Sequence, residues 1–303
     1  MQKIALIYNP KAGTFIEQGH DACLTALQST LQVYPNSHVQ FFPVAAQTWK
    51  VMEAAISDFA PDAVWVAGGD GTVLSVAQLA MRLGMPLGVL PAGTMNLLAR
   101  DLGMSLDLPT AIHQLMTAQA GMIDMAEVNG QPFLCISNLG MSTKLTERRE
   151  QLRPYPFWVR LPLLAWHMLK FVFTYPSSKV YLLVNGQRHS LHTRSVTISN
   201  NPLAPHSSII PVRQGLSDGK LGVYVTKDTS LWSLPRLVWR LLGKTWHKDP
   251  DLLQFETDQL VVDFKHKRHV RVMCDGELHK MALPLRYRLI PNRLCVLKPM
   301  ANS

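Results

Sequence analysis

Two domains of different class are predicted: an α/β N-terminal domain with a mainly parallel sheet, followed by a β-rich C-terminal domain built as an antiparallel sandwich or barrel. Strand, loop and helix signals repeat over residues 1–121. Short apolar runs separated by turn signals replace them from about Gly121 onward. Glycine-rich strings sit where the apolar runs of the first part end. The boundary therefore falls at 121/122, giving domains 1–121 and 122–303, with the last strand, about 286–303, free to return and pack on the first domain.

In the first part, residues 3–8 read as a buried strand, followed by a loop of Asn9, Pro10, Lys11, Ala12, Gly13 and Thr14 and a helix through about Leu31. Residues 38–44 form a second strand, and residues 48–59 a second helix with apolar positions at Val51, Ala54, Ala55 and Phe59. Residues 63–67 form a third strand, which ends in Gly68-Gly69-Asp70-Gly71-Thr72 and reopens as a helix at Val73-Leu74-Ser75-Val76. Residues 87–90 form a fourth, ending in Pro91-Ala92-Gly93-Thr94-Met95-Asn96 before another helix. In a parallel sheet these three strand ends share one edge, where ligands of such sheets collect.

A buried strand that ends in glycines and reopens as a helix is a common way to hold phosphate. Glycine lets the backbone approach an anion, and the helix N-terminus supplies amides. Asp70 is the unexpected member, because a carboxylate repels phosphate unless a cation lies between them, which suggests Mg²⁺ with a nucleotide. An ordinary strand-to-helix turn uses the same residue types.

In the second part, residues 122–128, the Asn129-Gly130 turn and residues 131–137 read as a hairpin. Further strands are expected at 179–184, 188–191 after Asn185-Gly186, 195–199, 220–226, 259–264, 270–274 and 286–290. Two stretches interrupt this pattern. Residues 161–173 are mostly apolar but shorter than the roughly 20 residues a membrane span needs. Residues 231–248 set Trp232, Trp239 and Trp246 among Leu, Arg and Lys at helical spacing, which suits either a core helix or contact with a membrane surface.

The charge balance, 30 basic against 21 acidic residues with a net charge of +9, favours anionic partners. No string typical of a nucleic-acid reader occurs, so a nucleic-acid partner is not expected. Cys23, Cys135, Cys274 and Cys295 are scattered without a CxxC pair, so neither a zinc site nor a disulfide framework is indicated. The opening apolar run is too short for a signal peptide, and a cytoplasmic protein is expected. Gly243-Lys244-Thr245 lacks the loop glycine of a Walker A motif, since position 238 is Val238, and no GxGxxG follows the first strand.

Asn9-Pro10-Lys11-Ala12-Gly13, Gly68-Gly69-Asp70-Gly71-Thr72 and Gly93-Thr94-Met95-Asn96, in that order, resemble the nucleotide-binding motifs of the diacylglycerol kinase catalytic domain family. That family includes bacterial lipid kinases and the sphingosine and ceramide kinases. The likeness continues through Ser199-Asn200-Asn201-Pro202, Ser217-Asp218-Gly219-Lys220 and Cys274-Asp275-Gly276-Glu277, and so covers nearly the whole chain. It implies ATP-dependent phosphorylation of a lipid hydroxyl, in a cleft between an α/β nucleotide domain and a β-sandwich-like domain. It also implies a lipid substrate at a membrane surface, with the protein peripheral to the inner face of that membrane.

By resemblance, the ATP contacts are Asn9, Pro10, Lys11, Ala12, Gly13, Gly68, Gly69, Asp70, Gly71, Thr72, Val73, Leu74, Ser75, Thr94 and Asn96. Glu277 is the implied proton acceptor, with Asp275 its neighbour near Mg²⁺. Asp218, helped by carbonyl oxygens near Gly215 and Lys220, resembles a second, structural Mg²⁺ site. The chain departs from the family pattern at Leu74-Ser75, where members often carry Asn-Glu, at Leu97 in place of Asp, and at Gly140-Met141-Ser142 in place of Gly-Phe-Asp. An NAD kinase-like enzyme, which shares the GGDGT loop, and a weakly active lipid-binding regulatory protein are the alternatives. No residue selects among diacylglycerol and other lipid alcohols.

Overall fold

The computed structural model describes residues 2–44, 49–141, 143, 162–163, 176–207, 210–227 and 233–300. The predicted apolar stretch at 161–173 falls outside these residues except for positions 162–163, as do Ser142 and the start of the Trp-rich stretch, 231–232. The chain divides into two compact units, Met1–Asp124 with Pro291–Ser303, and Met125–Ile290.

In the first unit the elements run β1 (Gln2–Tyr8), α1 (Gly13–Gln18), α2 (His20–Gln32), β2 (Ser37–Pro43), α3 (Trp49–Phe59), β3 (Ala63–Gly68), α4 (Asp70–Leu83), β4 (Leu87–Pro91), α5 (Leu97–Asp101), α6 (Leu108–Met116) and the start of β5 (Gln119–Val128). The strands β2, β1, β3 and β4 pair in that order, all parallel. Ile4 to Ile7 and Val64 to Ala67 are fully buried, as expected for strands covered on both faces. Because β1 has β2 on one side and β3 on the other, the strand order reverses there. The crevice at the carboxyl ends of β1 and β3 is the switch point where such sheets bind ligands.

Two expectations for this unit need correction. The helix predicted from Thr14 to Leu31 is two helices, because Gly19 takes φ 91°, a conformation that ends α1 and caps α2. In α3 the buried residues are Met52 and Ile56, whereas Val51, Ala54 and Ala55 are exposed. The core selects the longer side chains at i, i+4, one position away from the face inferred from the apolar spacing.

The second unit continues with the end of β5, then β6 (Gln131–Phe133), β7 (Ile136–Gly140), β8 (Ser178–Val184), β9 (Gln187–Asn200), β10 (Leu221–Lys227), α7 (Ser233–Leu242), a 3₁₀ turn at Trp246–Lys248, β11 (Leu252–Thr257), β12 (Gln259–Phe264), β13 (His269–Cys274), β14 (Glu277–Ala282) and the start of β15 (Leu285–Lys298). This antiparallel unit is β-sandwich-like. Alternate residues such as Val180, Leu182 and Val184 on β8 and Leu260, Val262 and Phe264 on β12 fill its core. Three two-residue hairpin turns, Asn129-Gly130, Asn185-Gly186 and Asp275-Gly276, have positive φ at both positions, the signature that Asn-Gly and Asp-Gly satisfy at least cost.

The predicted strand 131–137 is divided between β6 and β7, and 188–191 and 195–199 merge into the single strand β9. The strand β11 lies outside the expected strands, and β14 is the strand that follows the Asp275-Gly276 turn. No helix among the described residues is long and apolar enough to cross a membrane.

Within the Trp-rich stretch the outcome is mixed. Trp246 is 4% exposed and donates its indole N–H to Ser207 O at 2.9 Å, so it is a core residue and not a surface anchor. Trp239 is 76% exposed, and Leu242 beside it is exposed as well. Arg236 pairs bidentately with Asp249 at 3.0 Å and also with Asp251, while Arg240 lies 3.3 Å from Asp249. Two of the basic residues that suggested a surface partner are thus engaged within the fold.

Candidate functional site

The three glycine loops of the first unit meet at the N-terminus of α4. Asn9 donates its side-chain N–H to Thr72 Oγ1 at 3.0 Å and its backbone N–H to Ala67 O at 2.9 Å, tying the loop after β1 to the loop after β3. The same side chain accepts the Lys11 N–H at 2.9 Å, an Asx turn that folds residues 9–13 back over the strand end. Thr14 N–H reaches Ala92 O at 3.0 Å, and a Cβ on Gly13 would lie 3.1 Å from Thr94 Oγ1.

The loop after β4 closes the ring. Asn96, in the left-handed conformation with φ 52°, accepts the Gly93 N–H and donates to Gly93 O, both at 2.8 Å. A Cβ on Gly93 would stand 2.5 Å from Gly69 Cα, so glycine at position 93 allows a backbone approach that a side chain there would block, whereas a Cβ on Gly69 would stand 3.9 Å from Gly93 Cα. Gly93→Ala is expected to lower stability by about 1–3 kcal/mol, read as a lower urea midpoint, and to spread the phosphate loops apart.

Asp70 opens α4, and its Oδ1 accepts the Leu97 N–H at 2.8 Å. Burial pushes its carboxyl upward from the usual range, against the opposing pull of the amides of Leu97, Asp70 and Asn96. Asp70 therefore tethers the third loop to the second, a role its expected cation contact did not anticipate. Val73 and Leu74, expected among the ATP contacts, turn their side chains into the core, and Val73 donates its N–H to Gly69 O. Ser75 spends its hydroxyl on Gly71 O at 3.1 Å. The amides of Gly71 and Thr72, in the first turn of α4, lack intrahelical acceptors, and with exposed Lys11 and Thr94 they are the groups of this unit suited to meet an anion.

In the second unit, Asp275 is 5% exposed at the β13–β14 turn with φ 47°. Its Oδ2 accepts the Leu134 N–H at 2.5 Å and its Oδ1 accepts those of Cys135 and Ile136, both at 2.9 Å. Leu134 O in turn accepts from Arg213 at 2.6 Å and from Asn200 Nδ2 at 2.8 Å. Asp275 thus clamps the 134–136 segment, and the buried Arg213 holds that segment from its carbonyl side. Arg213 was missed from the sequence because it is a solitary Arg between Val212 and Gln214, with no spacing signal. Glu277, two residues on, is exposed at the start of β14, and its carboxylate makes no hydrogen bond among the described residues.

The predicted Gly215, Asp218 and Lys220 fall in one loop. A Cβ on Gly215 would overlap the Asp218 carboxylate, so glycine there leaves the space that the carboxylate fills. The Asp218 N–H donates to Asn201 Oδ1 at 2.9 Å, and Asn201 is itself buried with φ 73°. The Lys220 side chain pairs with Glu256 at 3.3 Å, which leaves only its carbonyl for a cation. Among the described residues no group of three His, Cys, Asp or Glu side chains is placed to hold a metal ion.

A parallel sheet with three glycine loops gathered at its switch point, in a chain whose second unit is an antiparallel sandwich, is an arrangement suited to a protein that handles phosphate. Residues 3–128 match the diacylglycerol kinase catalytic domain, and residues 140–298, more than half of the chain, match the YegS C-terminal NAD kinase β-sandwich-like domain. The chain belongs to this family of lipid kinases.

It is 29% identical to a diacylglycerol kinase of Bacillus subtilis (strain 168) over 317 residues, covering 100% of this chain and 98% of the relative. An uncharacterised protein of Synechocystis sp. (strain ATCC 27184 / PCC 6803 / Kazusa) is 24% identical over 312 residues, covering 98% of this chain and 70% of that protein. In fold, the chain is similar to the crystal structure of a Bacillus anthracis str. Sterne diacylglycerol kinase, with a TM-score of 0.70 and 20% identity over 100% of this chain and 98% of that one.

Proposed function

We propose that the protein transfers the γ-phosphate of ATP to a lipid hydroxyl, with diacylglycerol or a related lipid as acceptor. The observation that carries this reading is the ring of three glycine loops around the α4 N-terminus, in a chain of this family. The amides of Gly71 and Thr72 and the Lys11 ammonium would bind phosphate oxygens, while Asn9 and Asn96 hold the loops in shape. Glu277 would accept the proton of the acceptor hydroxyl, a task for an exposed carboxylate that can reach substrate. Asp275, its oxygens occupied by three amides, positions the turn that presents Glu277.

Mg²⁺ fits the Gly215–Lys220 loop as a hard-cation site of one carboxylate, Asp218, and the carbonyls of Gly215 and Lys220. Bound there, it would neutralise charge and stiffen the loop. The Asn201 contact to the Asp218 amide already holds the carboxylate over Gly215.

Purified protein given ATP labelled in the γ-phosphate, Mg²⁺ and an extracted lipid fraction should yield labelled lipid. Label appearing only on NAD would overturn the lipid kinase reading in favour of an NAD kinase-like activity, and ATP binding without transfer would favour a regulatory protein. Contact with a membrane surface is assigned to Trp239 and Leu242 on α7, near the exposed Lys244 and Lys248. Trp239→Ala should reduce sedimentation with anionic vesicles, as should added salt, without altering stability. Trp246→Ala should instead cost about 3–5 kcal/mol of stability, because it empties a core position.

A further inference from the structure

Five consecutive basic residues, Lys265, His266, Lys267, Arg268 and His269, carry the chain from β12 into β13, and all five are exposed. Lys267 is engaged within the fold, 3.1 Å from Ser178 Oγ and 5.0 Å over the Phe264 ring. The Lys265 and Arg268 side chains have no hydrogen-bond or ion-pair partner among the described residues. Asp263, the nearest carboxylate in the chain, accepts the Phe264 N–H at 2.8 Å. The backbone holds the turn in place: Lys265 N–H reaches Lys179 O at 3.2 Å, Lys267 N–H reaches Phe264 O at 3.3 Å, and Arg268 O accepts the Leu283 N–H at 3.0 Å. A fixed run of like charges repels itself, which costs the folded state stability unless something anionic covers it.

The strand registers place this turn at one end of the second unit. Phe264 lies beside Val180, Ser178 beside Thr193, and Thr193 beside Lys227. Asn200 and Cys274 lie at the other end, and β13 runs about 20 Å from His269 to Asp275 at the rise of a β-strand. The turn is therefore separate from the site at Asp275 and Glu277. The helix α7 is anchored at the turn's end of the unit, because Asp251 O accepts the Lys227 N–H at 2.7 Å and Arg236 of α7 pairs with Asp249 and Asp251. One end of the unit thus combines the basic turn with the helix that bears exposed Trp239 and Leu242.

We infer that the 265–269 turn docks on an anionic phospholipid membrane, with the Lys265 ammonium and the Arg268 guanidinium meeting lipid phosphates while Trp239 and Leu242 enter the interface. Cations together with exposed aromatic and aliphatic side chains are what such a surface binds. Because the turn is already fixed, docking orders little backbone. A membrane suits it better than a nucleic acid, since one short turn offers no stripe along which to track a polymer backbone. The proposed acceptor is itself a membrane lipid, and the choice of a lipid surface rests on that lipid kinase reading.

The test is sedimentation of the full chain, without nucleotide, with vesicles of phosphatidylcholine alone and of phosphatidylcholine mixed with phosphatidylglycerol. Binding should depend on phosphatidylglycerol, and a Lys265→Gln, Arg268→Gln double variant should lose roughly tenfold or more of its partition onto the mixed vesicles. Its urea midpoint should be unchanged or raised, since two repelling cations are gone. A Lys50→Gln, Arg188→Gln control removes the same charge from exposed positions on α3 and at the opposite end of β9, and should lose much less. An unchanged Lys265→Gln, Arg268→Gln variant, or an equal loss in the control, would overturn the docking turn. A single-stranded oligonucleotide that binds the wild type and not the double variant, with vesicle partition equal for both, would overturn the lipid assignment and leave a nucleic acid as the partner. Because neither nucleotide nor phosphoryl transfer enters this assay, its failure leaves the lipid kinase reading standing. Failure of lipid labelling alongside phosphatidylglycerol-dependent sedimentation would overturn that reading alone.

Discussion

Glu277→Gln is expected to lower kcat by about 10²–10⁴-fold while the dissociation constant for ATP stays unchanged. The substitution keeps the size of the side chain and removes only its capacity to accept a proton, so the loss of about 3–5 kcal/mol falls on the transition state. Stability should also be unchanged, since Glu277 is exposed and its carboxylate makes no hydrogen bond among the described residues. Steady-state turnover with a lipid acceptor, alongside equilibrium ATP binding, measures the two quantities separately. An equal loss of ATP affinity would remove Glu277 from the role of proton acceptor.

The neighbouring Asp275 should behave in the opposite way. Asp275→Ala leaves the buried amides of Leu134, Cys135 and Ile136 without their acceptor, and each such loss costs about 1–3 kcal/mol. The left-handed backbone at φ 47° adds about 1 kcal/mol for alanine. A destabilisation of about 3 kcal/mol or more, read from the urea midpoint, is therefore expected. Asp275→Asn should lose less, because its remaining oxygen can keep the two amides now held by Oδ1 and asparagine tolerates the turn conformation. An Asp275→Ala protein that unfolds at the wild-type midpoint yet has lost turnover would assign Asp275 to chemistry and not to positioning.

These two carboxylates mark where sequence reasoning reached and where it stopped. The Asp275-Gly276 pair was readable as a tight turn, and the turn is there, because Asp-Gly is one of the few pairs that accept positive φ at both positions. The clamp on residues 134–136 was not readable, since its donors are backbone amides about 140 positions away in the chain, and any sequence supplies amides. The convergence of the Asn9, Gly69 and Gly93 loops was legible because a parallel sheet carries all its strand ends to one edge. Asp70's bond to Leu97 was hidden for the same reason as the Asp275 clamp. Apolar spacing misjudged α3, where Met52 and Ile56 and not Val51 and Ala55 enter the core, and it could not separate buried Trp246 from exposed Trp239. Periodicity locates a face only to within a residue, and tertiary packing decides the rest.

The discontinuity of the first unit bears on how the chain is made. Residues 291–298 of β15 belong to that unit, with Val296 beside Leu87 on β4 and Asn292 N–H bonded to buried Asp124 at 2.9 Å. They leave the ribosome only after the whole of the second unit has emerged. The nascent first unit must therefore wait, with the β4 side of its sheet uncovered, while its insert folds, and a translation arrest between 125 and 290 would leave it with an unpaired edge open to other chains.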